Sequence, residues 1–581
     1  MGFFKTFFSS CLGTLVAFII LIVLCISLIS ILTGEKQEII GDNSVLVLKL
    51  NTPITELEID DPLAELLPSG QKGIGLIQLK QAIANAKEDP KIKGIYLNTA
   101  MLMAGPTTIE EIRQSLLDFK KSGKWVIAYA DSYTEGAYYL ATAADKVYLN
   151  QEGMVEFNGL ATEVTFFKKL FDKLSIKPEI FRVGDFKSAV EPFFRENLSD
   201  ENKLQLNSML QSIYGNMLAN IAEARKIPKD KLKEISDKML VRNAKQSVEF
   251  GLIDSLYYDD QVKAVIRQRL GLKKDATIPF TKYNDYKTSY DPTSTSKNEI
   301  AVIVADGDIL PGEADQGVVG SATIREAIRR ARTSDRVKAI VIRVNSPGGA
   351  FQAADEMWRE VSLAAQEKPV IASMGDYAAS GGYYLSMACD TIVAQPVTIT
   401  GSIGVFSVLF DLSEFLDDKI GITSQEVKTG EIGELVTVTR PLTEIEKNIW
   451  QNQTNEIYET FTRKAADGRK MTQEELKKIA SGRVWTGEQA KANGLVDVLG
   501  GFDDAIKIAA SKAGVSADYK LRFYPKQKNT LEKLFGAVEE TTQARIMRSQ
   551  LGEYYPAYLQ WQRLKNYQGA QARMPLQFQI H

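Results

Sequence analysis

A serine becomes a nucleophile only when a neighbouring group takes its proton, so the chemistry open to this chain depends on which bases it holds. Ser380 lies in Gly375-Asp-Tyr-Ala-Ala-Ser-Gly-Gly-Tyr-Tyr384, among small residues just before the helical pattern Tyr383 to Ala388. A serine there can simply cap the helix. It can also stand on a small-residue elbow at a helix N-terminus, whose dipole favours negative charge. Upstream, Asn345-Ser-Pro-Gly-Gly349 directly follows an apolar strand pattern. Glycines at a strand end can turn backbone N–H groups toward a developing oxyanion, although the same residues also make an ordinary loop.

The only histidine is His581. A Ser-His-Asp triad, a Cys-His dyad and a histidine zinc site each need an internal histidine, so the base for Ser380 would be Lys, Asp, Glu or Tyr. A lysine serves only if burial lowers its pKa from about 10.4 toward neutrality. Val183-Gly-Asp-Phe-Lys-Ser-Ala-Val-Glu-Pro-Phe-Phe194 sets Lys187 amid apolar and small residues, unlike Lys120-Lys121 and Lys168-Lys169. Composition alone favours a surface role for any lysine, so Lys187 is a candidate. The three cysteines, Cys11, Cys25 and Cys389, build neither a disulfide framework nor a zinc site; no metal or cofactor is expected. A net charge of −3 supplies no basic field for nucleic acid.

The elements that must position these residues come in two matching sets. Gly94-Ile-Tyr-Leu-Asn98 is echoed by Ala339-Ile-Val-Ile-Arg343. Lys124-Trp-Val-Ile-Ala-Tyr followed by Gly136-Ala-Tyr-Tyr-Leu-Ala-Thr-Ala-Ala-Asp145 is echoed by Lys368-Pro-Val-Ile-Ala-Ser followed by Gly381-Gly-Tyr-Tyr-Leu-Ser-Met-Ala-Cys-Asp390. Phe250-Gly-Leu-Ile-Asp254 returns as Asn493-Gly-Leu-Val-Asp497. Duplication explains all three. It also provides an internal control: Glu135 stands where the second half has Ser380, and Met101-Leu-Met-Ala104 where it has Ser346-Pro-Gly-Gly349. The scaffold alone therefore does not demand Ser380 or the paired glycines.

Short apolar runs (Val45 to Leu50, Gly94 to Leu97, Trp125 to Tyr129, then Ile300 to Val304, Ala339 to Val344, Val370 to Ser373) alternate with helical patterns such as Ile324 to Arg332. That alternation predicts an α/β fold with helix-covered sheets. Residues 33–281 form the first half, 282–298 a polar linker, and 299–515 the second half. Residues 516–581 form a basic, aromatic tail with no partner in the repeat, read as a helix packed on its own chain. Leu12 to Leu32 carries no charge and as a helix would span roughly 30 Å. It predicts an uncleaved transmembrane anchor over 11–32, with residues 1–10 in the cytoplasm by the charge bias. The remainder then faces the far side, which in a two-membrane bacterium is the periplasm.

Gly184-Asp-Phe-Lys-Ser-Ala-Val-Glu-Pro-Phe193, Asn345-Ser-Pro-Gly-Gly349, Gly375-Asp-Tyr-Ala-Ala-Ser-Gly-Gly382 and Thr400-Gly-Ser-Ile-Gly-Val405 resemble, in this order, the signature segments of the signal peptide peptidase SppA (protease IV) family in its long, duplicated form. The resemblance implies a Clp-protease-like, crotonase-type fold in both halves and a Ser/Lys dyad. It carries the nucleophile to Ser380, the general base to Lys187 and the orienter of that lysine to Ser402. The oxyanion would then be held by Gly381 with Gly348 or Gly349. It further implies a homotetramer at the inner membrane that degrades cleaved signal peptides. Two rivals are a crotonase-type acyl-CoA enzyme and a non-enzymatic membrane scaffold; the first would want an acidic residue at the reacting carbon, the second no activated serine.

Overall fold

The computed structural model describes residues 12–14, 16–18, 20, 40–58, 73–289, 296–314, 317–525 and 570–574. The anchor predicted over 11–32 therefore lies mostly outside the described residues, and among the described residues no helix is long and apolar enough to cross a membrane.

Each half builds a parallel sheet from the apolar runs read above, buried because helices cover its faces. The first sheet runs Ser255–Leu256, Lys146–Leu149, Trp125–Ala130, Ile92–Leu97, Ser44–Leu48, Phe280–Lys282. In the second the path is Val498–Leu499, Thr391–Ala394, Val370–Ala379, Val337–Ser346, Glu299–Asp306, Lys520–Tyr524. Strand order is the same in both.

The repeated letters are the pins of this plan. Asp145 accepts the Val126 N–H and Asp390 the Val370 N–H, both at 2.8 Å, tying a strand to the loop that follows its neighbouring helix. Tyr138 donates to the Leu252 carbonyl and Tyr383 to the Leu495 carbonyl, at 2.9 and 3.0 Å. Asp254 holds the Val147 N–H and pairs with Arg225; Asp497 holds the Ile392 N–H and pairs with Arg469. Lys124 and Lys368 each donate to two backbone carbonyls that would otherwise lose water near the core.

Two segments differ from the sequence reading. Lys520–Tyr524, within the supposedly unmatched tail, is the edge strand of the second sheet, parallel to Glu299–Asp306 as Phe280–Lys282 is to Ser44–Leu48. Its half-polar Lys-Leu-Arg-Phe-Tyr sequence shares no letters in register with Phe-Thr-Lys, so only the sheet shows the correspondence. The region read as linker contains a helix, Tyr283–Ser289, whose Tyr286 is buried and donates to Asp89. Residues 526–569 and 575–581 of the tail lie outside the described residues, as does the helix expected there.

What joins the halves is a third, mixed sheet: Val318–Gly320, Asp308–Leu310, Gly348–Ala350, Ala570–Arg573, Val405–Asp411, Lys177–Val183. Lys177–Val183 of the first half pairs antiparallel with Val405–Asp411 of the second along its whole length, from Val183 opposite Val405 to Lys177 opposite Asp411. That register fixes the residues just beyond Val183 against those just before Val405.

Candidate active site

Ser380 stands at the end of an extended strand. Its counterpart in the first half, Trp125–Ala130, has 6 residues, whereas Val370–Ala379 has 10. The additional length pairs with Ile399–Gly401, which pairs in turn with Val484–Thr486. Ser380 then turns the chain into the helix Gly381–Ser386 with φ 54° and ψ −110°, a region that costs a non-glycine residue about 1–3 kcal/mol. Its hydroxyl makes no capping bond to that helix, which removes the cap as its role. Glu135, at the same place in the first half, is not left-handed. The strain exists only in the half that carries the serine.

Lys187 reaches the same point from the first half. Gly184 follows strand Lys177–Val183, and Lys187 precedes the short 3₁₀ turn Ser188–Val190 and the helix Glu191–Phe194. Its Nζ lies 2.8 Å from Ser380 Oγ, 3.0 Å from Ser402 Oγ and 3.0 Å from the Ser402 carbonyl oxygen. All three residues are fully buried. Burial holds the Lys187 amine well below its ordinary pKa of 10.5, because an ammonium in this site would lose its hydration with no carboxylate beside it.

Ser402 is itself held in the left-handed region, φ 51°, by its N–H bond to the Arg483 carbonyl at 2.7 Å. Gly348 and Gly381 meet next to Ser380, and Gly349 follows Gly348 in the chain. Gly348 is left-handed, φ 102°, and a side chain on it would meet the Gly381 nitrogen at 2.7 Å. Its N–H donates to Ser346 Oγ at 3.2 Å. Gly348 and Gly349 belong to the short strand that pairs with Ala570–Arg573, so Gly349 stands opposite Ala572. The structure thus brings together all six residues singled out from the sequence. The six-residue helix after Ser380 is too short to carry the dipole argument.

Other residues of the site were not singled out from the sequence. Gln205, from the long helix Asp200–Arg225, donates to the Phe186 carbonyl and Ser188 Oγ and accepts from the Val484 N–H, bracing the lysine segment against the strand beside Ser402. Gly482 packs directly on Lys187: a side chain there would meet the Lys187 nitrogen at 2.6 Å. The repeat could have flagged it, because at the spacing set by Asp254 and Asp497 the first half has Met239 in its place. Among the described residues no group of three or more His, Cys, Asp or Glu could hold a metal ion.

A serine hydroxyl within hydrogen-bond reach of a buried lysine amine, beside closely packed glycines, is an arrangement compatible with acyl transfer without histidine. The pattern of Peptidase family S49 matches residues 118–273 and 362–516, one stretch in each half. The chain is 36% identical over 472 residues to "Serine protease SPPA, chloroplastic" of Arabidopsis thaliana, covering 80% of this chain and 69% of that one. It is 37% identical over 483 residues to "Protease 4" of Salmonella typhi, covering 81% of this chain and 77% of that one. A likeness to a solved point mutant of ClpP1 from Listeria monocytogenes spans 36% of this chain and 94% of that one at 16% identity, with a TM-score of 0.24, and supports no argument. With two matched stretches and relatives aligned over most of their length, this chain belongs to peptidase family S49 and is a serine-type peptidase.

Proposed function

We propose that Ser380 and Lys187 form the catalytic dyad of an endopeptidase acting on apolar, unfolded peptides, cleaved signal peptides among them. The observation that carries this reading is a buried lysine, depressed in pKa, 2.8 Å from a strained serine hydroxyl. The neutral amine takes the Ser380 proton as Oγ attacks the peptide carbonyl. Gly381 N–H, with that of Gly348 or Gly349, receives the oxyanion. The ammonium then gives its proton to the departing amine, breaking the C–N bond. Water, deprotonated by the regenerated amine, attacks the acyl carbon, and as the C–O bond to Ser380 breaks the ammonium returns that proton to Oγ.

The same reading includes a membrane anchor over 11–32, a catalytic portion on the periplasmic side of the inner membrane, a homotetramer and a crotonase-type fold in each half. The charge-free run Leu12 to Leu32 and the family resemblance support these. Substrates released into the bilayer would then lie within reach of the site.

The test uses the full chain in detergent. Ser380→Ala and Lys187→Ala should each lower kcat on an unstructured apolar peptide by about four orders of magnitude or more while circular dichroism stays unchanged. Undiminished hydrolysis by either folded variant sinks the dyad. Because the base must be neutral, activity should be lost as pH falls through the Lys187 pKa, and that ascending limb should lie well below pH 10.5.

A further inference from the structure

Along most of the second sheet, strands Val337–Ser346 and Val370–Ala379 pair in step, from Ile340 opposite Val370 to Val344 opposite Met374. The next pair is Ser346 opposite Ala378. Asn345 alone thus stands across from Gly375, Asp376 and Tyr377, an irregularity that leaves ladder groups without their backbone partners. The Asn345 side chain takes the ladder's place. Its Oδ1 accepts the Tyr377 N–H at 3.1 Å, and its Nδ2 donates at 3.0 Å to Asp306 Oδ1, on the strand at its other side. One planar amide so ties three strands. An amide is required, because one bond needs an acceptor and the other a donor toward a carboxyl oxygen. Gly375 makes the room: a side-chain carbon on it would meet Asn345 Cβ at 3.0 Å.

The reacting groups lie just beyond this tie. Ser346 and Gly348 follow Asn345 closely, and Ser380 follows Tyr377. There the two chain segments touch: a side-chain carbon on Gly348 would meet the Gly381 nitrogen at 2.7 Å, and one on Gly382 the Ser346 carbonyl oxygen at 2.6 Å. The first half, which lacks the site, also lacks the tie. It has Ala100 where the second half has Asn345, and its matching strands stop at Leu97 and Ala130, with 6 residues each against 10.

We propose that Asn345, held by Asp306, is a positioning residue for the oxyanion: its amide fixes the gap between Gly381, beside the nucleophile, and the Gly348–Gly349 segment. It touches no reacting atom and acts through the backbone on either side. This rests on the dyad reading and adds to it what sets the distance between nucleophile and oxyanion donors.

The test exchanges the two side chains that share the bond. Asn345→Asp alone sets two carboxyl groups face to face. With Asp306→Asn added, the new carboxylate accepts from the Tyr377 N–H and from the new amide, so the tie returns with its polarity reversed. In the full chain, Asn345→Ala and Asn345→Asp should each lower kcat about 10- to 100-fold and leave KM within about twofold, since a displaced oxyanion donor costs somewhat less than a deleted one. The inhibition constant of a peptide aldehyde, which turns tetrahedral on addition of Ser380 Oγ, should rise by the factor by which kcat falls. A residue needed only for stability would not couple the two. The double variant should return to within about threefold of the parent in both. Amide exchange at Tyr377 should quicken in the single variants and slow again in the double. If Asn345→Ala fails to fold by circular dichroism, Asn345→Asp and its rescue decide. Exchange that follows this pattern, while no form including the parent hydrolyses peptide or binds the aldehyde, keeps Asn345 as the tie and rejects the dyad. Parental kcat in folded Asn345→Ala, or a double variant no better than Asn345→Asp, overturns the positioning role.

Discussion

Ser402 offers Lys187 two oxygens, its hydroxyl and its carbonyl, each 3.0 Å from Nζ. A neutral amine has two N–H donors and one lone pair. If the donors go to Ser402, the lone pair is left facing the Ser380 hydroxyl, which is the orientation a base requires. When the amine is protonated, the same two oxygens accept from the ammonium and support its charge. Ser402→Ala removes one of them, a hydrogen bond to a charged group worth about 1.5–3 kcal/mol, so kcat/KM should fall about 10- to 100-fold. Loss of a bond that favours the charged form also lowers the lysine pKa further. The ascending limb of the pH–rate profile should move to lower pH as the plateau drops. A plateau at the parent level, or a limb that rises in pH, refutes the positioning role. At this scale the sequence was informative where chemistry restricts residue type: a missing internal histidine, a lysine among apolar neighbours, a serine the repeat does not require. It said nothing of Gln205, whose side chain meets Ser188 and Val484 only after the helix Asp200–Arg225 has packed against both halves.

Elements place the dyad to within a hydrogen bond's tolerance by strand register. Lys187 follows a strand of one half, Ser402 precedes a strand of the other, and the pairing of Val183 with Val405 brings them together. A slip of one residue would turn every side chain to the opposite face. The loop Ser481-Gly482-Arg483 closes the third side. Gly482 has φ 80°, its N–H donates to the Ile403 carbonyl at 2.8 Å, and any side chain there would strike Lys187 at its nitrogen and at Cβ, 2.7 Å away. Gly482→Ala should therefore displace the lysine: kcat should fall at least tenfold, since a misplacement on the order of 1 Å can cost 10²-fold. The far-UV spectrum should be that of the parent. Full activity in that variant would show that Lys187 does not depend on this contact. Strands and repeats were legible because buried parallel strands are continuous apolar runs and because the repeated Asp, Tyr and Lys are backbone pins. The edge strand Lys520–Tyr524 escaped notice because an edge strand has one paired side and an intermediate burial, so its letters are free to vary.

One site per chain requires the two halves to be locked in a single arrangement, and Arg343 supplies that lock. It is fully buried in the second sheet, yet its guanidinium donates to Glu56 and Glu111 of the first half, at 2.8 Å each. Nearby, Asp376 accepts the Thr107 and Thr108 N–H groups at 2.8 and 3.0 Å, at the N-terminus of the first-half helix Pro106–Lys120, where a negative charge meets the helix dipole favourably. Burial raises the Glu111 carboxyl, but Arg343 and Lys80 outweigh it and bring the pKa down to about 2; burial dominates at Glu56 and raises it to about 7. These carboxyls give opposite pH dependences. Glu111 stabilises the joined halves above its ordinary value of 4.5 and loses that contribution only as pH falls toward 2. Glu56 keeps its proton in the fold where the unfolded chain has released it, so its contribution falls as pH rises from 4.5 to 7. Glu56→Gln should accordingly flatten the decline in urea midpoint across that interval, and a midpoint that instead falls more steeply contradicts the assignment. Arg343→Met leaves the buried Glu56 without its cation and Glu111 with Lys80 alone, at a cost of about 3–5 kcal/mol. Because Lys187 and Ser380 meet only across this interface, peptide hydrolysis should disappear at a lower urea concentration than the helical signal does. Coincident loss of both in Arg343→Met would mean that the halves do not separate before they unfold, and that the lock stabilises each fold rather than their union.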